Sequence, residues 1–247
     1  MWMLDSAWQE KMHRLILFDV DGTLLSTNGH AGEALGMALR ETFGTAGPIE
    51  HYSWAGKTDP QIVYELLAGA GIPRAEVGPK LPEVFERYCD HLTRKLSPTN
   101  TRALAGVREI LDDLCQRRDV AVGLLTGNIW RGAEIKLRAA GLAGHFDVGA
   151  YGSDEEDRNR LVAVARARAR ERWGEGFPGT RTVVVGDAEA DVRCARAGGA
   201  RAVAVASGQT ARETLAAMQP DALIDSLAPP LALQAILSAD GPAAGKA

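Results

Sequence analysis

Leu15-Ile16-Leu17-Phe18-Asp19-Val20-Asp21-Gly22-Thr23-Leu24 is the stretch from which the fold is read. Four apolar residues run into two carboxylates, and a glycine turn follows. A short apolar run bounded in this way reads as a fully buried strand. Asp19 then stands at the strand's carboxyl end. Asp21 lies two residues on, so the pleat aims it the same way. In open parallel α/β sheets, ligands bind outside those carboxyl ends. Two carboxylates crowded there repel each other and lose solvation, which is costly unless a cation or a shared proton holds them. The plainer alternative is a strand followed by an ordinary Asp-Gly turn.

Outward from this stretch, β-like runs alternate with helical patterns. The spacing predicts strands over Arg14 to Asp19, Val120 to Thr126, Asp147 to Ala150, Arg181 to Asp187, Arg201 to Ala206 and Ala222 to Ile224. Amphipathic segments lie between them: Val107, Ile110, Leu111 and Leu114 recur at helical spacing, as do Leu161, Val164 and Ala165. Such alternation, with near-continuous apolar strands, predicts a doubly wound, Rossmann-like parallel α/β sheet. Residues 26–100 break the rhythm and read as purely helical. Thr58-Asp59-Pro60-Gln61 has the form of a capping box with Pro in the first turn. The expected division is an α/β core of residues 1–25 and 101–247 with an inserted all-helical cap of residues 26–100. An insertion right after the first strand sits over that strand's carboxyl end, where it can exclude water from a polar site. Residues 1–11 read either as a dispensable extension or as a misassigned start, and residues 240–247, in a tail rich in Ala, Pro and Gly from Pro229 on, read as frayed.

Composition limits the partners. The chain has 247 residues, 46% hydrophobic and 24% charged, with a net charge of −4. An acidic balance disfavours nucleic acid, whose backbone calls for a basic surface. No apolar stretch is long enough to span a bilayer, and the start has no secretory signal core. Cys89, Cys115 and Cys194 are odd in number and lack metal spacing, which suits buried thiols in a reducing cytoplasm.

Three further places carry chemistry. Thr126-Gly127-Asn128 ends a predicted strand and opens a helix, whose free N–H groups suit a phosphate; a plain N-cap is the alternative. Gly186-Asp187-Ala188-Glu189-Ala190-Asp191 puts two more carboxylates at the same sheet edge. So many carboxylates at one edge call for magnesium, which prefers oxygen ligands and leaves room for a substrate phosphate. Arg158 precedes a helix full of arginines (Arg166, Arg168, Arg170, Arg172), so it is either a site cation or one more solvated arginine, and Arg160 competes with it. In the insertion, Trp54-Ala55-Gly56-Lys57-Thr58-Asp59 is the candidate for the segment that reaches the site. Lys57 is either a contact for a substrate carboxylate or second phosphate, or a solvated lysine.

Taken in order, Asp19-x-Asp21-Gly22-Thr23, Thr126, a basic residue and Gly186-Asp187-x-x-x-Asp191 resemble the haloacid dehalogenase-like hydrolase superfamily over nearly the whole chain. The likeness is to members of the phosphoglycolate phosphatase and β-phosphoglucomutase type. It implies Asp19 as nucleophile forming an aspartyl-phosphate, and Asp21 as general acid and then base. It implies Thr126, Gly127 and Asn128 around the phosphoryl oxygens and Arg158 in a place usually held by lysine. Mg²⁺ would be held by Asp19, the Asp21 carbonyl and Asp187, with Asp191 ligating or orienting. Ala188 departs from a frequent threonine, at the possible cost of a supporting hydrogen bond. The dehalogenase branch lacks a carboxylate two residues after the nucleophile, and Asp21 is present here. The expected activity is a Mg²⁺-dependent phosphatase on a small phosphorylated metabolite such as phosphoglycolate. A phosphomutase is the alternative, a non-catalytic binding member of the fold a further one, and a monomer or homodimer is expected.

Overall fold

The computed structural model describes residues 14–174 and 176–238. In chain order the elements are β1 (Arg14–Phe18), β2 (Leu25–Ser26), α1 (His30–Phe43), α2 (Asp59–Gly69), α3 (Arg74–Val77), α4 (Leu81–Lys95) and β3 (Arg102–Ala103). There follow α5 (Val107–Cys115), β4 (Val120–Thr126), α6 (Trp130–Ala139), β5 (Val148–Tyr151), α7 (Leu161–Trp173) and β6 (Thr182–Gly186). The chain continues through α8 (Glu189–Ala197), β7 (Arg201–Val205), α9 (Arg212–Ala217), β8 (Ala222–Ile224) and α10 (Leu231–Leu237).

Six strands form one parallel sheet in the order β5-β4-β1-β6-β7-β8. All six expected strands are present, with ends displaced by a residue, so Asp19 and Asp187 stand just past β1 and β6. The unbroken apolar run of β1 follows from burial on both faces. Ile16 and Phe18 enter one apolar cluster with α5 and α10, while Leu15 and Leu17 enter another with α7 and α8. Each large apolar side chain so buried contributes about 1.5–3 kcal/mol.

The helices α1 to α4 lie between two short strands that pair antiparallel, Leu25 with Ala103 and Ser26 with Arg102. This ribbon was not foreseen, because two residues per strand carry no readable period. The helices enclose an apolar cluster of their own, including Leu35, Leu39, Val63, Leu66, Tyr88 and Leu92, which Ile129 joins from the sheet side. At the start of α2, Thr58 Oγ1 accepts from Gln61 N at 3.3 Å. The capping box closes on that side only, since the Gln61 amide donates to Glu65 instead. The Thr58 hydroxyl proton goes to the Glu156 carbonyl at 2.9 Å, tying the insertion to the sheet domain.

Two expectations need correction. The tail beyond Pro229 was read only as Ala/Pro/Gly-rich, yet it forms α10, which buries Ala232 and Ile236 one turn apart. The Arg201 guanidinium donates to the carbonyls of Ala235, Ile236 and Ser238 at its end. The arginines of α7 are not simply solvated: Arg166 reaches Gly179, Thr182 and Gly198, Arg168 pairs with Asp154, and Arg172 with Asp147. The expectations for residues 1–11 and 240–247 lie outside the described residues. Cys89, Cys115 and Cys194 are free thiols; Cys89 and Cys194 are buried as expected, whereas Cys115, at the C-terminal end of α5, is exposed. Among the described residues no helix is long and apolar enough to cross a membrane.

Candidate active site

The neighbouring strands β4, β1 and β6 deliver Thr126, Asp19 and Asp187 to one edge of the sheet. The Asp19 amide donates to Val185 O at 2.9 Å, which continues the ladder and fixes where its carboxylate emerges. Arg158 sits in a single 3-10 turn just before α7 and is buried. Its Nη2 lies 2.9 Å from Asp19 Oδ1 and also donates to Asp191 Oδ1. Its Nε is buried without a partner. Arg160, two residues on, is exposed and only loosely near Glu155 and Asp157. The ambiguity between the two is therefore resolved in position: Arg158 is brought to Asp19 and Arg160 is not.

Asp191 is held from behind, its Oδ2 accepting from Ala188 N at 2.9 Å. Asp187 Oδ1 accepts from the Thr23 hydroxyl at 2.8 Å. Two glycines cradle the Asp187 carboxylate. A Cβ on Gly22 (φ +83°) would lie 2.4 Å from Asp187 Oδ2, and one on Gly208 only 1.7 Å from it. Ser207 donates to Gly22 O at 2.7 Å and steadies that turn. Thr23, Ser207 and Gly208 were not among the expected site residues; Thr23 lies inside the quoted motif, while nothing local marks the other two.

Oxygen atoms of Asp19, Asp187 and Asp191 lie within 4.8 Å of one another, and all three residues are buried. Burial pushes the Asp19 carboxyl up to about 6, against the pull of Arg158. Asp187 is raised well above the usual carboxylate range by burial and then by Asp19 and Asp191. One arginine is thus short of balancing three buried carboxylates. The donor set is all oxygen, which fits a hard divalent cation.

Across the site, Thr126 Oγ1 accepts from Asn128 N at 3.3 Å and from Asn128 Nδ2 at 2.7 Å. The expectation of a helix N-terminus wholly free for an anion does not hold. Ile129 N–H donates to Asp59 Oδ2 at 2.8 Å and Trp130 N–H to Ser153 Oγ at 3.1 Å. The insertion itself takes one of those donors through the Asp59 carboxylate, and the Asp59 N–H in turn donates to Gly127 O at 2.7 Å. Burial raises the Asp59 carboxyl to about 6 despite nearby Lys136. Gly127 must be glycine here, since a Cβ would stand 2.0 Å from Lys57 O.

Lys136 was missed by sequence reasoning. It lies in α6, 3% exposed, with Nζ 2.7 Å from Asp21 Oδ2 and a second bond to Asn128 Oδ1. Burial works to lower the ammonium's pKa, but Asp21 overrides it and holds the group above its usual range. A signal existed: Lys136 falls on the apolar face of α6 with Ala133 and Leu137. Lys57, by contrast, turns its Nζ to Glu65 and to Tyr52 OH, 4.2 Å above the Tyr52 ring.

These groups line a cavity of about 790 Å³, with Asp19, Asp21, Arg158 and Asp187 among its walls and Trp54, Gly56 and Lys57 contributed by the insertion. The insertion therefore lies over the carboxyl ends of the strands. Its loop comes so close that a Cβ on Gly56 would meet Ala190 Cβ at 2.4 Å and Ala188 Cβ at 3.2 Å. This close approach gives a reason for the alanine at 188.

Residues 16–205 match the family model described as haloacid dehalogenase-like hydrolase. The chain belongs to this family. Similar haloacid dehalogenase-like proteins include the phosphoglycolate phosphatase of Pseudomonas syringae pv. tomato, 29% identical over 88% of this chain and 78% of that one. That of Nitrosospira multiformis is also 29% identical, over 87% of this chain and 92% of the relative. These relatives place the chain among the phosphatases of the family. Among solved structures, a hydrolase from Pseudomonas syringae superposes with a TM-score of 0.68 at 21% identity, covering 89% of this chain and 96% of that one. At that identity the likeness shows the fold.

Proposed function

We propose that this chain is a Mg²⁺-dependent phosphatase that hydrolyses a small phosphorylated metabolite, with phosphoglycolate the first substrate to test. The carrying observation is the buried Asp19–Asp187–Asp191 cluster, under-neutralised by Arg158, of which Asp19 and Asp187 line the cavity shared with the insertion. Asp19, the Asp21 carbonyl and Asp187 would hold the ion, with Asp191 behind them. Both Asp191 oxygens already accept hydrogen bonds, which suits an orienting part. When bound, Mg²⁺ offsets the charge on the phosphoryl oxygens and on the carboxylates around them.

The remaining steps belong to side chains. The Asp19 carboxylate attacks phosphorus, and the bond to the ester oxygen breaks. Asp21 gives its proton to that leaving oxygen. Thr126, with the backbone amide of Gly127, holds phosphoryl oxygens, the Asn128 amide joins them only by giving up Thr126 Oγ1, and the unpartnered Arg158 Nε is a further donor. Asp21 then takes a proton from a water that attacks phosphorus, releasing phosphate and restoring Asp19. Residues 26–100 act as a cap on a core of residues 1–25 and 101–247, excluding bulk water during the reaction. Free thiols suit a cytoplasmic enzyme. Lys57 reaches a substrate carboxylate only by giving up Glu65.

The test is phosphate release with Mg²⁺ and with EDTA, over phosphoglycolate, hexose phosphates and nucleoside monophosphates. Metal-dependent release supports the reading. Silence on every phosphate ester contradicts it, and return of the phosphoryl group to another substrate hydroxyl makes the enzyme a mutase.

A further inference from the structure

Asp21 is the group on which both proton transfers rest, yet its side chain is 41% exposed, where a carboxylate would ordinarily turn freely. Two donors prevent that. Lys136 Nζ lies 2.7 Å and Asn128 Nδ2 2.8 Å from the same oxygen, Oδ2. Lys136 also donates to Asn128 Oδ1, so the three side chains close a ring of hydrogen bonds. The donors come from the segment just past β4 and from α6, not from the segment after β1 that carries Asp21, so they fix the carboxylate against a second element.

The lysine is costly where it stands. Taking an ammonium out of water is strongly unfavourable before any partner is counted. A leucine or methionine there would lie buried on the same face of α6 as Ala133 and Leu137 without that cost. What the lysine supplies is a fixed charge-assisted bond to one oxygen of Asp21. The insertion shares in the arrangement. Asp59 and Tyr88, both buried and both from its helices, act electrostatically on the same ammonium. Asp59 also binds the backbone of Ile129, the N-cap of α6.

We propose that Lys136 is a positioning residue for Asp21: by pinning Oδ2 it leaves Oδ1 as the oxygen that meets the substrate's leaving group. The proposal rests on the phosphatase reading above and refines it. A carboxylate held in one orientation before the substrate arrives loses less freedom at the transition state. The effect belongs to proton transfer, so it scales with how much the leaving group needs a proton. An alkyl phosphate leaves as an alkoxide and needs one. A p-nitrophenyl phosphate leaves as a stable phenolate and does not.

The experiment compares kcat/KM for an alkyl phosphate and for p-nitrophenyl phosphate in the wild type, Lys136→Met, Lys136→Gln, Asp21→Asn and the Lys136→Met/Asp21→Asn double variant, with thermal unfolding of each. General acid catalysis contributes about 10²–10⁴-fold. Lys136→Met is expected to lose at least about tenfold of that on the alkyl phosphate, and under about threefold on the p-nitrophenyl ester. Lys136→Gln keeps an N–H donor and should recover part of the loss. The double variant should be no worse than Asp21→Asn alone, because the two residues act as one unit. Equal losses on both esters, or losses that multiply in the double variant, overturn the proposal. Should the methionine variant fail to fold, the glutamine variant carries the comparison. A wild type inactive on both esters strikes instead at the phosphatase reading.

Discussion

Arg158 and Arg160 sit two residues apart and meet opposite environments. Arg158 is 6% exposed between Asp19 and Asp191, while the Arg160 side chain is 69% exposed. Removing one partner of a buried ion pair costs about 3–5 kcal/mol, because the other charge stays buried. An exposed pair is worth about 0–1 kcal/mol. Arg158→Ala is therefore expected to lower stability by several kcal/mol in denaturant unfolding and to abolish most turnover. Arg160→Ala should change neither appreciably, and a large effect of Arg160→Ala on turnover would contradict this placement. The same scale shows what the sequence reveals about a site. Asp19, Asp21, Asp187 and Asp191 are legible because they stand at strand ends in a fixed order. Lys136 is not, since its role comes from a face of α6 turning toward a residue 115 positions earlier. Ser207 and Gly208 are illegible for the same reason: what they touch lies across the sheet edge.

At the scale of elements, the loop of residues 54–58 is where the insertion meets the sheet. Gly56 has φ +72° and no room for a Cβ against Ala188 and Ala190. Gly56→Val combines a disfavoured backbone with overpacking, each costing about 1–3 kcal/mol. It is expected to lower the thermal midpoint and to weaken turnover more than Gly29→Ala, which shares the left-handed backbone (φ +87°) but whose Cβ would meet nothing within 4 Å. Equal effects of the two would mean that the loop does not pack as described. The strands were readable from apolar runs, because burial on both faces leaves no alternation to interpret. The β2–β3 ribbon and α10 were not. The first is too short for any period, and the second rests on Ala232 and Ile236 in a segment whose prolines suggest a loop.

For the whole molecule, the buried carboxylates make stability depend on pH and metal. The Asp19 carboxyl is raised to about 6 in the folded chain, above its ordinary value of 3.8. The folded state then binds more protons than the unfolded one between these values, so this group costs stability as pH rises through that window. In metal-free protein, Asp19→Asn should match the wild type near pH 4 and become the more stable of the two by pH 7.5. Thermal unfolding across that range checks it. Mg²⁺ added at pH 7.5 should narrow the difference, because an ion that binds only the folded wild type raises its midpoint. A difference independent of pH would mean that Asp19 ionises freely in the fold.

In the proposed mechanism Asp19 carries the phosphoryl group between two half-reactions. Acid quench of the enzyme during turnover of a ³²P-labelled substrate, followed by peptide mapping, addresses it most directly. Hydroxylamine-labile label is expected on the peptide containing Asp19, absent in Asp19→Asn and in EDTA. Label on another residue, or label on Asp19→Asn protein, would contradict it.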